Sequence, residues 1–200
     1  MDSWIYILFA LLLFPVIFRI SRSISQMSEP ERDIEGAKED GYLQRYPGSV
    51  IEFYREEEDI HRIVIKMPEY PAPGEPPLFE YFDVSGIRKT VLYKVPVIRS
   101  PETVYKYYMK EMKEAGFEII YTGRGEKDLG NPEDWYRQVI VTGKNITAWA
   151  ELSNILQGKL LCYFSGMKND VREKIYLSVF AVNHFRNDRK TGIFIFVSKQ

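Results

Sequence analysis

The chain has little of what most chemistry requires. One cysteine in 200 residues, Cys162, excludes an internal disulfide and every cysteine-based zinc pattern. Its setting, "KLLCYF", suits a small buried hydrophobe better than a reactive thiol. Only two histidines are present, and His184 is far in sequence from any acid and hydroxyl pair that would read as a triad. Neither sign of charge dominates: 27 basic residues meet 28 acidic ones, so the net charge is −1 and no basic tract is available for nucleic acid. No internal repeat, phosphate-binding loop or cofactor fingerprint occurs, so no cofactor is expected.

What the chain does have begins with "WIYILFALLLFPVIFRISR". From Trp4 to Phe18 no charge appears. As a helix that stretch is about 22 Å long against a hydrocarbon core of about 30 Å, short for a span unless Arg19 snorkels and Ile20 extends it. A secretory signal would carry positive charge before the apolar run, and only Asp2 precedes this one. The run therefore reads as an uncleaved membrane anchor, with a cleaved signal and a buried helix as alternatives. Arg19 and Arg22 behind it favour a cytoplasmic domain by the positive-inside rule.

The layout that follows is residues 1–22 as anchor or signal helix, 23–41 as an acidic polar tether, and 42–200 as one domain. Strands are expected at "VIEFY", "HRIVIKM", "IRKTVLYKV", "FEIIYT", "KLLCYF", "KIYLSVFAV" and "GIFIFVSK", which alternate or are rich in β-branched and aromatic residues. The last two should form a hairpin, and "PEYPAPGEPP" should be a stiff connector.

One helix is well signalled in "SPETVYKYYMKEMKEAG". Ser100 can cap it, Pro101 suits its first position and Gly116 its left-handed end. Val104, Tyr108, Met112 and Ala115 should face the sheet, leaving Lys106, Lys110, Lys113 and Glu114 wet. The expected fold class is α+β: an antiparallel-rich sheet with one or more packed helices, preceded by an N-terminal membrane helix.

Three stretches, "YPGSVIEFYREEEDIHRIVI", "VSGIRKTVLYKVPVIRSPETVYKYYMKEMKEAGFEIIYTGRG" and "KLLCYFSGMKNDVREKIYLSVFAV", resemble a family of uncharacterised bacterial envelope domains often found N-terminal to OmpA-like peptidoglycan-binding domains. The resemblance runs from about Tyr42 to Lys199, implies an extracytoplasmic domain and brings no active site with it.

Two stretches merit weighing as sites. "EEEDIH", Glu56 to His61, gathers carboxylates beside a histidine and can be imagined around a divalent cation, but alternation on a strand would split them between faces, and a solvated loop or edge is the expected role. "TGRGEKDLGNPEDWY" places Arg124, Lys127 and Asp128 near Trp135 and Tyr136, a mixture suited to gripping a glycan or peptide, though a plain flexible loop also fits. With 14% aromatics, exposed Tyr and Trp can anchor a protein interface.

The expected function is a non-catalytic, membrane-tethered adaptor or accessory subunit. Its partners are the membrane and a protein, not nucleic acid. A small-ligand binder and an uncharacterised hydrolase are the alternatives.

Overall fold

A computed structural model describes residues 32–72, 75, 77–95, 101–130, 132–140, 160–183 and 191–200. The chain divides into units Met1–Arg32 and Asp33–Gln200. All of the first unit except Arg32 lies outside the described residues, and with it the apolar run, the expected membrane helix and residues 23–31 of the expected tether. The triplet Asn145-Ile146-Thr147, a glycosylation sequon by pattern alone, and His184 also fall outside. No helix among the described residues is long and apolar enough to cross a membrane.

Six strands form one antiparallel sheet: β1 (Val50–Val64), β2 (Tyr81–Val95), β3 (Glu118–Arg124), β4 (Leu160–Asn169), β5 (Lys174–Asn183) and β6 (Thr191–Lys199), in spatial order β1-β2-β6-β5-β4-β3. One helix of useful length interrupts them, α1 (Pro101–Glu114). Two short ones follow β3, α2 (Gly125–Leu129) and α3 (Pro132–Trp135), and lead into a π turn, Tyr136–Ile140. The expected strands are present, and β5 and β6 pair as expected.

The α+β expectation is overturned: among the described residues the architecture is mostly β, six strands with little helix. The physical reason lies in residues 50–95. "VIEFY" and "HRIVIKM" are one 15-residue strand that runs straight through the acidic run, and β2 is equally long. Such a ribbon reaches beyond its neighbours and folds over one face of the sheet, supplying from β structure a cover that helices were expected to provide.

The other face, called here the helix side, is closed by α1 and by residues 33–49. Val104, Tyr108 and Met112 are fully buried against Phe164, Ile175, Leu177 and Val179. The helix ends as its residues dictate: Gly116 has φ 80°, its N–H donates to Lys113 O at 3.0 Å, and Phe117 N–H donates to Met112 O at 2.9 Å. That pair of bonds is a Schellman cap. Gly166 on β4 makes room for it, because a Cβ there would stand 2.6 Å from Met112 Cε and 3.1 Å from Glu118 O.

The segment before β1 is bound to the same side. Asp33 Oδ1 accepts from Ile51 N–H at 2.8 Å, and the buried Asp40 accepts from the backbone N–H groups of Tyr42 and Leu43, each at 2.8 Å. Tyr93 on β2 donates its hydroxyl to Asp40 at 3.2 Å. Residues 33–41 thus belong to the folded unit.

Candidate functional site

Alternation along β1 sends Glu57, Asp59, His61 and Ile63 toward the sheet under the ribbon and Glu56 and Glu58 away from it. The inward half of "EEEDIH" is therefore not solvated. Asp59 forms an ion pair with Arg88 of β2, both nearly sealed from water, and Arg88 also donates to Ile60 O. Arg55 stands 3.3 Å from Glu57. His61 is 2% exposed, with Nε2 2.6 Å from Ser178 Oγ on β5 and Nδ1 3.1 Å from Ser198 Oγ on β6. At the tip of β1, Val64 N–H donates to the Tyr163 hydroxyl at 3.2 Å and Ser165 Oγ donates to Val64 O at 2.9 Å.

These groups form a polar seam between two apolar clusters. On one side Ile63, Val84 and Tyr176 meet; on the other Trp135, Tyr163, Phe180 and Phe194 pack with Leu92 and Val64. Burial, reinforced by the Arg88 guanidinium, lowers the His61 pKa to about 3. The ring is neutral, so one nitrogen donates and the other accepts. Burial likewise pulls Arg88 below its ordinary value, against the opposing pull of Asp59 and Glu57.

A histidine within reach of a serine hydroxyl is the contact from which activated nucleophiles are built. Here its surroundings serve another end. Ser178 is 0% exposed, the second ring nitrogen faces a hydroxyl instead of a carboxylate, and the nearby carboxylate is occupied by Arg88. No route brings a carbonyl to Oγ. What the arrangement does is hold the ribbon by directed bonds to β4, β5 and β6.

The residues singled out in the loop after β3 are only partly brought together. Arg124 and Asp128 meet through the Arg124 N–H, 3.0 Å from Asp128 Oδ2. The Arg124 guanidinium pairs with Glu102 at 2.9 Å and lies 4.9 Å over the Tyr105 ring, and Glu102 raises its pKa. Trp135 turns the opposite way. It is 0% exposed, its indole N–H donates to Leu129 O, and its ring lies 4.8 Å from Tyr163 and 5.0 Å from Phe79. It anchors the loop in the core and has no surface to offer a glycan. Lys127 lies on α2 and Tyr136 begins the π turn; their side chains are outside the described set.

Cys162 is buried, and burial pushes its thiol up to about 12, as a small core hydrophobe requires. Among the described residues no three His, Cys, Asp or Glu side chains are placed to hold a metal ion.

A shallow groove of about 300 Å³ opens on the helix side beyond the cover of residues 33–49, between Tyr42, Glu56, Ile87, Lys89 and Lys199. Its lysines are already engaged, Lys89 with Asp40 O at 3.2 Å and Lys199 with Glu173 at 2.6 Å.

The surface itself is uneven. Of nine exposed large apolar side chains among the described residues, seven lie between Ile60 and Ile87, on the ribbon and its connection. Leu78, Ile87, Met67 and Tyr70 are the most exposed of them, and Arg62 stacks 3.8 Å over the Tyr81 ring.

His61, Asp59, Arg88, Ser178 and Ser198 escaped the sequence reading as a set. The available signal was a lone hydroxyl in each of two otherwise apolar strands, "IYLSVFAV" and "IFIFVSK". Neither a scan against protein-family models nor a search of curated proteins finds a match to this chain.

Proposed function

We propose that the Asp33–Gln200 unit is a non-catalytic interaction module, carried at an envelope membrane by the apolar run at residues 4–18 and acting as an adaptor or accessory subunit. The observation that carries this reading is the concentration of exposed apolar side chains on the β1–β2 ribbon and its connection, with Tyr81 on the first and Tyr70 on the second. Amphipathic aromatics exposed together are a common composition for protein-binding surfaces. Among the described residues, the groups best equipped for acid–base or nucleophilic work, His61, Cys162 and Ser178, are sealed in the core. Of the two aromatic residues offered for gripping a glycan, Trp135 is taken into that core.

A photo-crosslinking residue placed at Tyr81 of the full-length protein, with one at Lys113 on the wet face of α1 as control, tests the reading. The expected result is a discrete heteromeric product from position 81 in membranes and none from position 113. Recovery of the uncrosslinked monomer from both would remove the adaptor. A reporter fused after Gln200 addresses the side of the membrane: activity outside the cytoplasm is expected, and activity only inside it would reverse the topology.

A further inference from the structure

β1 ends the sheet, so its side away from β2 has no neighbouring strand among the described residues. The phase of its backbone is fixed at its C-terminal end. Ile65 N–H donates across to Glu80 O of the β2 side, while the preceding Val64 N–H points outward to Tyr163. Past the bulge between Ile51 and Phe53, then, the even-numbered residues turn their backbone groups outward.

Both ends of this outer edge are closed. Ile51 accepts from Ile34 N–H and donates to Asp33, Ile60 N–H is taken by the Asp59 carboxylate, and Val64 is held by Tyr163 and Ser165. Between the closures, Tyr54, Glu56 and Glu58 offer three successive outward positions over about 13 Å, enough for a five-residue strand.

We infer that the Tyr54–Glu58 edge of β1 docks an extended, basic segment of a partner protein by strand addition. This rests on the adaptor reading and names the chemistry of its partner. The charge of the edge selects the occupant. From Tyr54 to Ile60 one arginine stands against Glu56, Glu57, Glu58 and Asp59. Arg55 is engaged by Glu57 and Asp59 by Arg88, so the exposed carboxylates are Glu56 and Glu58, on the outward-facing residues themselves. The Tyr54 hydroxyl donates to Glu56 at 2.6 Å and, with Lys89, Lys38 and Lys199 in its field, keeps it ionised, whereas Glu58 stands opposite Ile87. A strand laid here would meet Glu56 and Glu58 with every second side chain, and lysine or arginine at those places answers them. A second copy of the chain does not: antiparallel pairing of β1 with itself over these positions sets Glu56 against Glu56 or Glu58 of the other copy. An edge guarded against itself and open to cations discriminates between partners.

The test uses the full-length protein in mild detergent and a labelled nonapeptide of alternating Lys and Val. Saturable binding is expected, with hydrogen-exchange protection at the amides of Tyr54, Glu56 and Glu58. A Glu–Val counterpart should bind about tenfold or more weakly, and so should the Lys–Val peptide N-methylated at alternate amides, since only strand addition needs those N–H groups. Glu58→Pro removes one outward donor and leaves the β1–β2 ladder whole, so it should weaken binding about tenfold with unchanged circular dichroism. The double variant Glu56→Lys/Glu58→Lys should reverse the preference toward the Glu–Val peptide. Absent Lys–Val binding, or equal affinity for the N-methylated peptide, overturns the inference. The adaptor reading fails separately, when position 81 captures no partner; capture there with no peptide binding overturns the edge alone.

Discussion

The two faces of the sheet are closed in different ways. On the helix side the contact is almost wholly apolar: Val104, Tyr108 and Met112 press on alternating residues of β4 and β5, and a Schellman cap stops the helix. On the ribbon side the contact is interrupted by Ser165, Ser178, Ser198, Thr90, His61, Arg88 and Asp59, all buried or nearly so. A helix laid on a sheet is located by its capped ends and its one apolar stripe. A β ribbon laid on a sheet has a period of two along its length, so a slip of two residues preserves its apolar alternation. Apolar burial alone does not distinguish those registers, because it is non-directional. The bonds from His61 to Ser178 and Ser198 do, since a two-residue slip would leave all three polar groups unpaired.

Breaking the seam should therefore cost more than breaking the apolar side. Arg88→Ala strands the Asp59 carboxylate in a buried site, with an expected loss of about 3–5 kcal/mol in urea unfolding. Met112→Ala on the helix side should cost about 2–5 kcal/mol, toward the lower part of that range, because it leaves a cavity but no unpaired buried charge. Gly116→Val forces a β-branched residue to φ 80° and should cost on the order of 1–2 kcal/mol. Lys113→Ala, exposed on α1, should stay within about 0.5 kcal/mol. If Arg88→Ala were as mild as Lys113→Ala, the ribbon would not be held by its polar seam.

The helix side was legible because its signals are local. Ser100-Pro101 at one end, Gly116 at the other and the spacing of Val104, Tyr108 and Met112 are all written within one short stretch, and the structure places the described residues among them accordingly. The ribbon side was not. Locally "REEEDI" reads as a solvated loop or edge, because Asp and Glu are poor strand formers, and Asp59 enters the core only because Arg88, 29 residues later, arrives opposite Glu57. Trp135 shows the same limit from the other direction. Beside Arg124 and Asp128 in sequence it resembles part of a ligand grip, but the pocket formed by Tyr163, Phe180 and Phe79 removes it to the interior.

The central claim, that His61 is a neutral structural clamp and no acid–base group, is tested most directly by following its imidazole through a pH titration of the folded protein by NMR. In the unfolded chain the ring titrates near pH 6.5, whereas in the fold its pKa lies at about 3. Between those values the unfolded state binds a proton that the native state refuses, so stability should fall as pH drops, by roughly 3 kcal/mol from pH 6.5 to pH 4, and a His61→Gln variant should lose that part of the slope. The predicted result is a neutral ring throughout the range in which the protein remains folded, with any protonation appearing together with unfolding. An imidazole that titrates near pH 6.5 while the fold persists would contradict the account.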